Sequence, residues 1–176
     1  MSPELFLSVQ YGAPAPELPR WRLRRWVQRS VACIASQALP GPDSDTAGTQ
    51  PTQAFSAVAL TLRLVDADEG RELNQQYRHR DYATNVLTFE YGKDPTGMIT
   101  ADVVMCLPVL QREALEQGKP LLHHAAHLTV HGVLHALGYD HIEPADAALM
   151  ESLETNILKK FGIPDPYQQD GVRQFS

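Results

Sequence analysis

The chain has 176 residues, of which 43% are hydrophobic and 20% charged, with a net charge of −6. This is the composition of one globular domain, and no run approaches the roughly 20 apolar residues of a membrane span. The first residues show neither a basic segment nor a cleavage pattern, and the two cysteines lack CxxC spacing. We therefore expect no signal peptide, no membrane association, no disulfide framework and a cytoplasmic location.

The first third of the chain predicts a strand, a helix and a loop. Residues 5–11 have strand-like content, and apolar residues at helical spacing predict a helix from about Arg20 to Leu39. Residues 40–53 are rich in Pro, Gly, Ser and Thr, which predicts a flexible connection. Neither flank is a complete domain, so residues 1–176 are expected to form a single domain.

The middle of the chain predicts a strand, a helix and a hairpin. Apolar residues alternate through 54–66, and Asp66 or Asp68 is suited to cap a helix that follows to about Tyr77. Two further strands, 84–91 and 98–106, flank the turn-forming segment GKDPTG and predict a β-hairpin.

The remainder predicts three helices, at about 108–117, 121–137 and 144–161, and the glycines after the first two suit helix ends. Strands concentrate in the first half and helices in the second. The predicted class is therefore α+β, with a small mixed sheet covered by helices.

Two groups of arginines stand out in this acidic chain. The segment PRWRLRRWVQRS sets five arginines around two tryptophans, and RELNQQYRHRD contributes three more. The first group fits a solvated helix face with inward tryptophans as well as it fits a surface that contacts nucleic-acid phosphates. The candidate contacts are Arg20, Arg22, Arg24, Arg25 and Arg80.

Helix 121–137 carries five histidines, and four of them recur at every fourth residue. Such steps drift by only about 40° around a helix, so any adjacent pair of the four could bind one ion. Gly138 can end the helix and turn the chain so that His141 returns beside His131 and His135. A catalytic zinc ion typically has three protein ligands, here three imidazoles, and a fourth position that is open to water.

The spacing HxxxHxxGxxH is the ligand skeleton of metzincin proteases, but Gly132 stands where those enzymes carry a catalytic glutamate. Amide cleavage needs that carboxylate to protonate the leaving amine, whereas phosphodiester cleavage mainly needs charge neutralisation and positioning. The missing carboxylate therefore argues against a protease. His124 and His127 are expected in packing or hydrogen bonds, although His127 could support His131.

The segment HGVLHALGYDH resembles the signature of the YbeY family, bacterial metal-dependent endoribonucleases that act in rRNA maturation. Further similar segments occur in the same order: LNQQYRHRDYATNVLTF, ADVVMC, EALEQGKP and HIEPADAALMESLETNIL. The resemblance implies a zincin-like α+β fold with about four strands and a metal site on a helix and the turn after it.

The same resemblance implies the residues and partners of the site. One Zn²⁺ falls on His131, His135 and His141, and a catalytic arginine falls on Arg78. The implied substrate is single-stranded RNA, in maturation of the 3′ end of 16S rRNA and in ribosome quality control. The implied partners are the small ribosomal subunit and assembly factors.

Two alternatives remain open. The chain could be a non-catalytic ribosome-assembly factor with a structural metal, and a fourth protein ligand in place of water would favour that function. A metalloprotease is the other, less favoured because of Gly132. The cleavage position, the general base, the metal in vivo, the oligomeric state and the role of Asp140 are not readable from the sequence.

Overall fold

The computed structural model of the protein describes residues 3–37, 55–140 and 142–167. Four strands and five helices follow one another along these residues. In chain order they are β1 (Glu4–Tyr11), α1 (Arg20–Gln37), β2 (Ala57–Val65), α2 (Ala67–Arg78), β3 (Val86–Lys93), β4 (Met98–Cys106), α3 (Leu107–Glu116), α4 (Leu121–Ala136) and α5 (Pro144–Lys159). The α+β class and each predicted element are confirmed, while the loop predicted at 40–53 lies outside the described residues.

The four strands form one mixed sheet in the order β1-β2-β4-β3. β1 pairs with β2 and β2 with β4 in parallel, and β3 pairs with β4 antiparallel. The predicted hairpin is therefore β3–β4. Its turn is closed by Asp94, whose Oδ1 accepts hydrogen bonds from the backbone amides of Thr96 and Met98 at 2.9 and 3.0 Å.

The main core lies between one face of the sheet and helices α1, α4 and α5. Alternate residues of β2 and β4 point into it, among them Leu60, Leu62, Val103 and Met105, all nearly or fully buried. α4 contacts α1, α3, α5, β3 and β4, so it is the central helix of this layer. Its position explains why ten of its sixteen residues are buried, far more than on a surface helix.

A smaller cluster occupies the other face of the sheet near the ends of the strands. Val104 and Cys106 alternate with the core residues of β4 and contact α2 and α3 through Leu73 and Val109. Asp66 caps α2, because its carboxylate accepts a hydrogen bond from the backbone amide of Glu69 at 2.9 Å. No helix within the described residues has the length and apolar character to cross a membrane.

Candidate metal centre

Two of the three predicted ligands lie side by side on α4. The ring centroids of His131 and His135 are 4.7 Å apart and both residues are half-buried. One helical turn separates them, as expected for a pair spaced by four residues. The third predicted ligand, His141, lies outside the described residues, so the three-histidine set stays a prediction.

The end of α4 has the geometry that the sequence predicted. Gly138 has a φ of +101°, a conformation that side chains disfavour. The backbone amide of Tyr139 donates to Leu134 O at 3.0 Å, five residues back, which is the closing bond of a Schellman motif. The helix therefore ends at Ala136 with Leu137 as its C-cap, and the chain turns away at Gly138.

A buried carboxylate contacts this histidine series from α5. Glu154 has 0% of its surface exposed. Its Oε1 lies 2.5 Å from His131 Nδ1, its Oε2 lies 3.2 Å from His127 Nε2, and the Tyr167 hydroxyl donates to the same Oε2. The burial of Glu154 raises its pKa, but the hydrogen bonds from His127 and His131 outweigh this and lower it to about 2.

The ionised carboxylate determines the tautomer of His131. A carboxylate only accepts hydrogen bonds, so the Nδ1 of His131 must carry the proton. The Nε2 then has the lone pair, which is the atom a metal ion needs. Such a carboxylate–histidine pair is the usual support of a metal-ligating imidazole, because it fixes the tautomer and the ring orientation.

His127, His131 and Glu154 also form a group whose ligand atoms lie within 4.8 Å of one another, so this group could itself hold a metal ion. The distances favour the orienting role for Glu154. Tetrahedral ligands at about 2.0–2.1 Å from zinc lie about 3.3 Å apart, whereas His131 Nδ1 and Glu154 Oε1 are 2.5 Å apart. That separation is a short hydrogen bond between two groups, and the ion is better placed at the opposite nitrogen.

Tyr167 and His127 complete the surroundings of Glu154. The Tyr167 hydroxyl lies 3.1 Å from His127 Nε2, and its ring meets the His127 ring edge to face at 5.3 Å. Burial raises the pKa of Tyr167, and its hydrogen bond to Glu154 raises it further, so the phenol stays protonated and donates. His127 therefore supports the site through Glu154, one turn before His131.

His124 has a separate carboxylate. It is buried, and its Nε2 lies 3.0 Å from Glu113 Oε1 on α3. Burial lowers the pKa of His124, although the hydrogen bond to Glu113 opposes this. The sequence-based expectation of a packed histidine at position 124 fits this placement.

Gly132 has a packing role that the sequence did not reveal. It is buried, and a Cβ at this position would lie 2.6 Å from Val103 Cγ1 on β4. Real Cβ atoms essentially never approach so closely, so α4 lies against β4 only because residue 132 has no side chain. Position 132 thus points to the sheet, and a glutamate would not fit there.

Arg78 is exposed at the last position of α2, and the chain then turns at His79, which has a φ of +57°. The preceding residue, Tyr77, contacts Phe89 of β3 with ring centroids 4.5 Å apart, and β3 packs against α4. The end of α2 and helix α4 therefore both contact β3. This common neighbour supports a role of Arg78 at the candidate metal centre. Arg80, also exposed, follows two residues later.

The candidate arginines of α1 lie on different sides of the helix. Arg20 stacks on the Tyr11 ring at 4.9 Å, and Arg24 borders a hollow over β1 and β2. Arg22 and Arg25 instead line a pocket between α1, the start of α4 and the end of α5. They do not form one continuous surface.

Sequence reasoning missed two carboxylates near the site. Glu154 lies on the apolar stripe of α5 between Leu153 and Ile157, and an acid on such a stripe was a readable signal of a buried partner. Glu90 of β3 borders the end of α4 at Gly138. Partial burial and the charge of Asp140 raise the pKa of Glu90.

A histidine pair oriented by a buried carboxylate, on a helix that covers a mixed sheet, is the arrangement typical of a metal-dependent hydrolase. Comparison with known proteins agrees. Residues 45–162 match the family model described as Endoribonuclease YbeY, and the chain belongs to this family.

Relatives named Endoribonuclease YbeY cover nearly the whole chain. The Bordetella pertussis protein is 57% identical over 167 residues, which are 95% of this chain and 98% of that protein. The Thiobacillus denitrificans protein is 48% identical over 168 residues, covering 95% and 99%. The solution structure of TM1509 from Thermotoga maritima matches 93% of this chain and all of its own with a TM-score of 0.53, at 20% identity. This last likeness shows the fold.

Proposed function

We propose that the protein is a zinc-dependent endoribonuclease that cuts single-stranded RNA in the cytoplasm during rRNA processing, including 3′-end maturation of 16S rRNA, and in ribosome quality control. The observation that carries the proposal is the pair His131 and His135 with Glu154 behind His131. The names of the relatives supply the substrate class. RNA of the small ribosomal subunit, with its assembly factors, is the proposed partner.

We further propose His141 as the third ligand. Three neutral imidazoles leave one position of a tetrahedral zinc site open to water or substrate. The family match extends over residues 45–162 and so includes this histidine. The alignment with relatives over 95% of this chain supports one domain from 1 to 176.

An ion at this site supplies Lewis-acid stabilisation of phosphoryl oxygens and lowers the pKa of water. The chain's own residues supply orientation. Glu154 holds the Nδ1 of His131 and so would leave its Nε2 to hold an ion, and Gly138 turns the backbone at the end of the helix. Arg78 provides a guanidinium that can hold two phosphate oxygens, a geometry that lysine lacks.

The decisive test is His135→Ala in purified, zinc-loaded protein, with a labelled single-stranded RNA as substrate. We expect RNA cutting to be lost while the circular dichroism spectrum is retained. His79→Asn is the matched control, because His79 is exposed and asparagine tolerates its left-handed backbone.

Equal cutting by His135→Ala and the wild type would assign the activity to a contaminating nuclease. RNA binding without any cutting by the wild type would favour the alternative, a ribosome-assembly factor whose metal is structural. Arg78→Lys adds a further check, since it keeps the charge but loses the two-pronged contact, and we expect slower cutting with little change in zinc binding.

A further inference from the structure

A basic pocket lies at the opposite end of α4 from the candidate metal centre. A pocket of about 270 Å³ opens between α1, the first turn of α4 and the turn after α5. Besides the buried Trp26, its basic and aromatic lining consists of Trp21, Arg22, Arg25, His123, Lys160 and Phe161. His123 precedes His131 and His135 by two and three turns, so at about 1.5 Å per residue the pocket is roughly 12–18 Å from the metal centre along the helix.

The charge of the pocket is one-sided. Arg22, Arg25 and Lys160 line it, and no acidic residue within 3–37, 55–140 and 142–167 does. None of the three makes an ion pair within the part of the chain that the structure describes. The Nε of Arg22 is buried without a hydrogen-bond partner there. Buried donors are rarely left unpaired, so this one calls for an acceptor such as an anionic oxygen.

The start of α4 adds to the positive potential. Its N-cap position is Pro120, which offers no side-chain hydrogen bond, and its first turn has no acidic residue. The free amide groups at a helix start carry partial positive charge and favour an anion. Leu122 and His123 of this turn border the pocket.

The aromatic residues distinguish the ligand from a plain phosphate. Trp21 is 60% exposed, whereas Trp26 on the same helix is buried at 4%. The guanidinium of Arg22 stacks on the Trp21 ring at 4.7 Å, and that of Arg25 lies 5.8 Å from the Phe161 ring centre. Exposed aromatic rings and stacked arginines beside cations are the usual platform for an unpaired nucleotide base.

We propose that this pocket binds one nucleotide of a single-stranded RNA, holding its phosphate with Arg22, Arg25 and Lys160 and stacking its base on Trp21. The inference rests on the proposed function for the identity of the strand. A strand that is held here and cut at the metal centre spans the roughly 12–18 Å between them, so the pocket sets which bond reaches His131 and His135.

The test uses fluorescence anisotropy of a labelled 2′-O-methyl dodecauridylate, chosen so that the strand is not cut during the titration, with zinc-loaded protein at several salt concentrations. Arg25→Ala/Lys160→Ala removes two exposed cations of the pocket. Arg29→Ala/Lys159→Ala removes the same charge from exposed neighbours that do not line it. At about 0.7 per phosphate contact, loss of the one phosphate held in the pocket should lower the salt slope by about 0.7 and weaken binding about fourfold at 0.15 M salt. The control should change the slope much less.

Trp21→Ala tests base stacking separately, because this change removes the ring without changing the charge of the pocket. We expect binding about tenfold weaker at an unchanged salt slope, together with loss of the tryptophan quenching that RNA causes in the wild type. Equal effects of the two double variants would overturn the pocket in favour of diffuse attraction. Uridine 5′-monophosphate binding as tightly as the dodecamer, or decaglutamate competing as well as RNA, would overturn a strand-nucleotide site.

The same proteins separate this inference from the proposed function. If the wild type binds RNA through the pocket but never cuts it, the pocket stands and the nuclease proposal fails. If the wild type cuts RNA and both double variants bind and cut equally, the nuclease proposal stands and the pocket fails.

Discussion

Glu154→Gln keeps the size of a fully buried side chain and removes its charge, so it tests whether this carboxylate orients His131. Three donors meet the carboxylate: His131 Nδ1, His127 Nε2 and the Tyr167 hydroxyl. The amide retains one oxygen and turns an NH₂ group toward one of these donors. The expected result is a folded protein that is less stable and binds zinc more weakly.

The structure sets the size of both effects. Each of the three bonds to the charged oxygen loses about 1 kcal/mol when the acceptor becomes neutral, about 3 kcal/mol in all. The pKa gives a similar figure, because a shift from 4.5 to about 2 corresponds to about 3 kcal/mol for a buried group. Loss of a carboxylate that orients a ligand typically weakens metal affinity by about 10–100-fold.

Urea unfolding followed by tryptophan fluorescence measures the stability, and competition with a chelating dye measures the zinc affinity. Glu113→Gln is the matched control, since Glu113 accepts a bond from His124 at 3.0 Å but lies away from the predicted ligands. It should lose stability and keep its zinc affinity. Unchanged zinc affinity in Glu154→Gln would refute the orienting role. A fall far beyond about 100-fold would make Glu154 a direct ligand.

Three further outcomes follow from the same contacts. Gly132→Ala should destabilise the fold by about 1 kcal/mol, because overpacking of about 1–3 kcal/mol exceeds the gain in helix propensity of about 1 kcal/mol. Val103→Ala should then cost less in urea unfolding in the Gly132→Ala background than in the wild type, and simple additivity would contradict the close approach. Tyr167→Phe removes one donor to Glu154 and should cost about 1–2 kcal/mol in thermal or urea unfolding, with zinc affinity nearly unchanged. The lowered pKa of Glu154 means that its charge stabilises the fold above about pH 5. The difference in unfolding free energy between the wild type and Glu154→Gln should therefore shrink as the pH falls toward about 2. A difference that does not depend on pH would contradict the lowered pKa.

Local patterns predicted most of the fold. The glycine after helix 121–137 predicted where this helix ends. The four-residue spacing of its histidines predicted that His131 and His135 lie side by side. Asp66 or Asp68 was predicted as the cap of α2 because a cap is a bond between near neighbours, and the structure shows that it is Asp66. The sheet order and the parallel pairing of β1, β2 and β4 were not readable, since residues far apart in the chain form those pairs.

The parts of the site that the sequence missed depend on tertiary contacts. Glu154 is twenty-three residues from His131, and only the packing of α5 on α4 brings them together. In the sequence, Gly132 stands where a protease would carry its catalytic glutamate. The structure gives a second reason for glycine at this position, which is the close approach of Val103. A glycine pattern cannot reveal which strand the helix will approach.

The order β1-β2-β4-β3 also has a consequence for how the sheet assembles. β3 and β4 are joined by a short turn and can pair within microseconds, whereas residue 4 must find residue 57 to seat β1 beside β2. β1 is an edge strand held by one neighbour, so we expect its amides to exchange with deuterium sooner than those of β2 and β4.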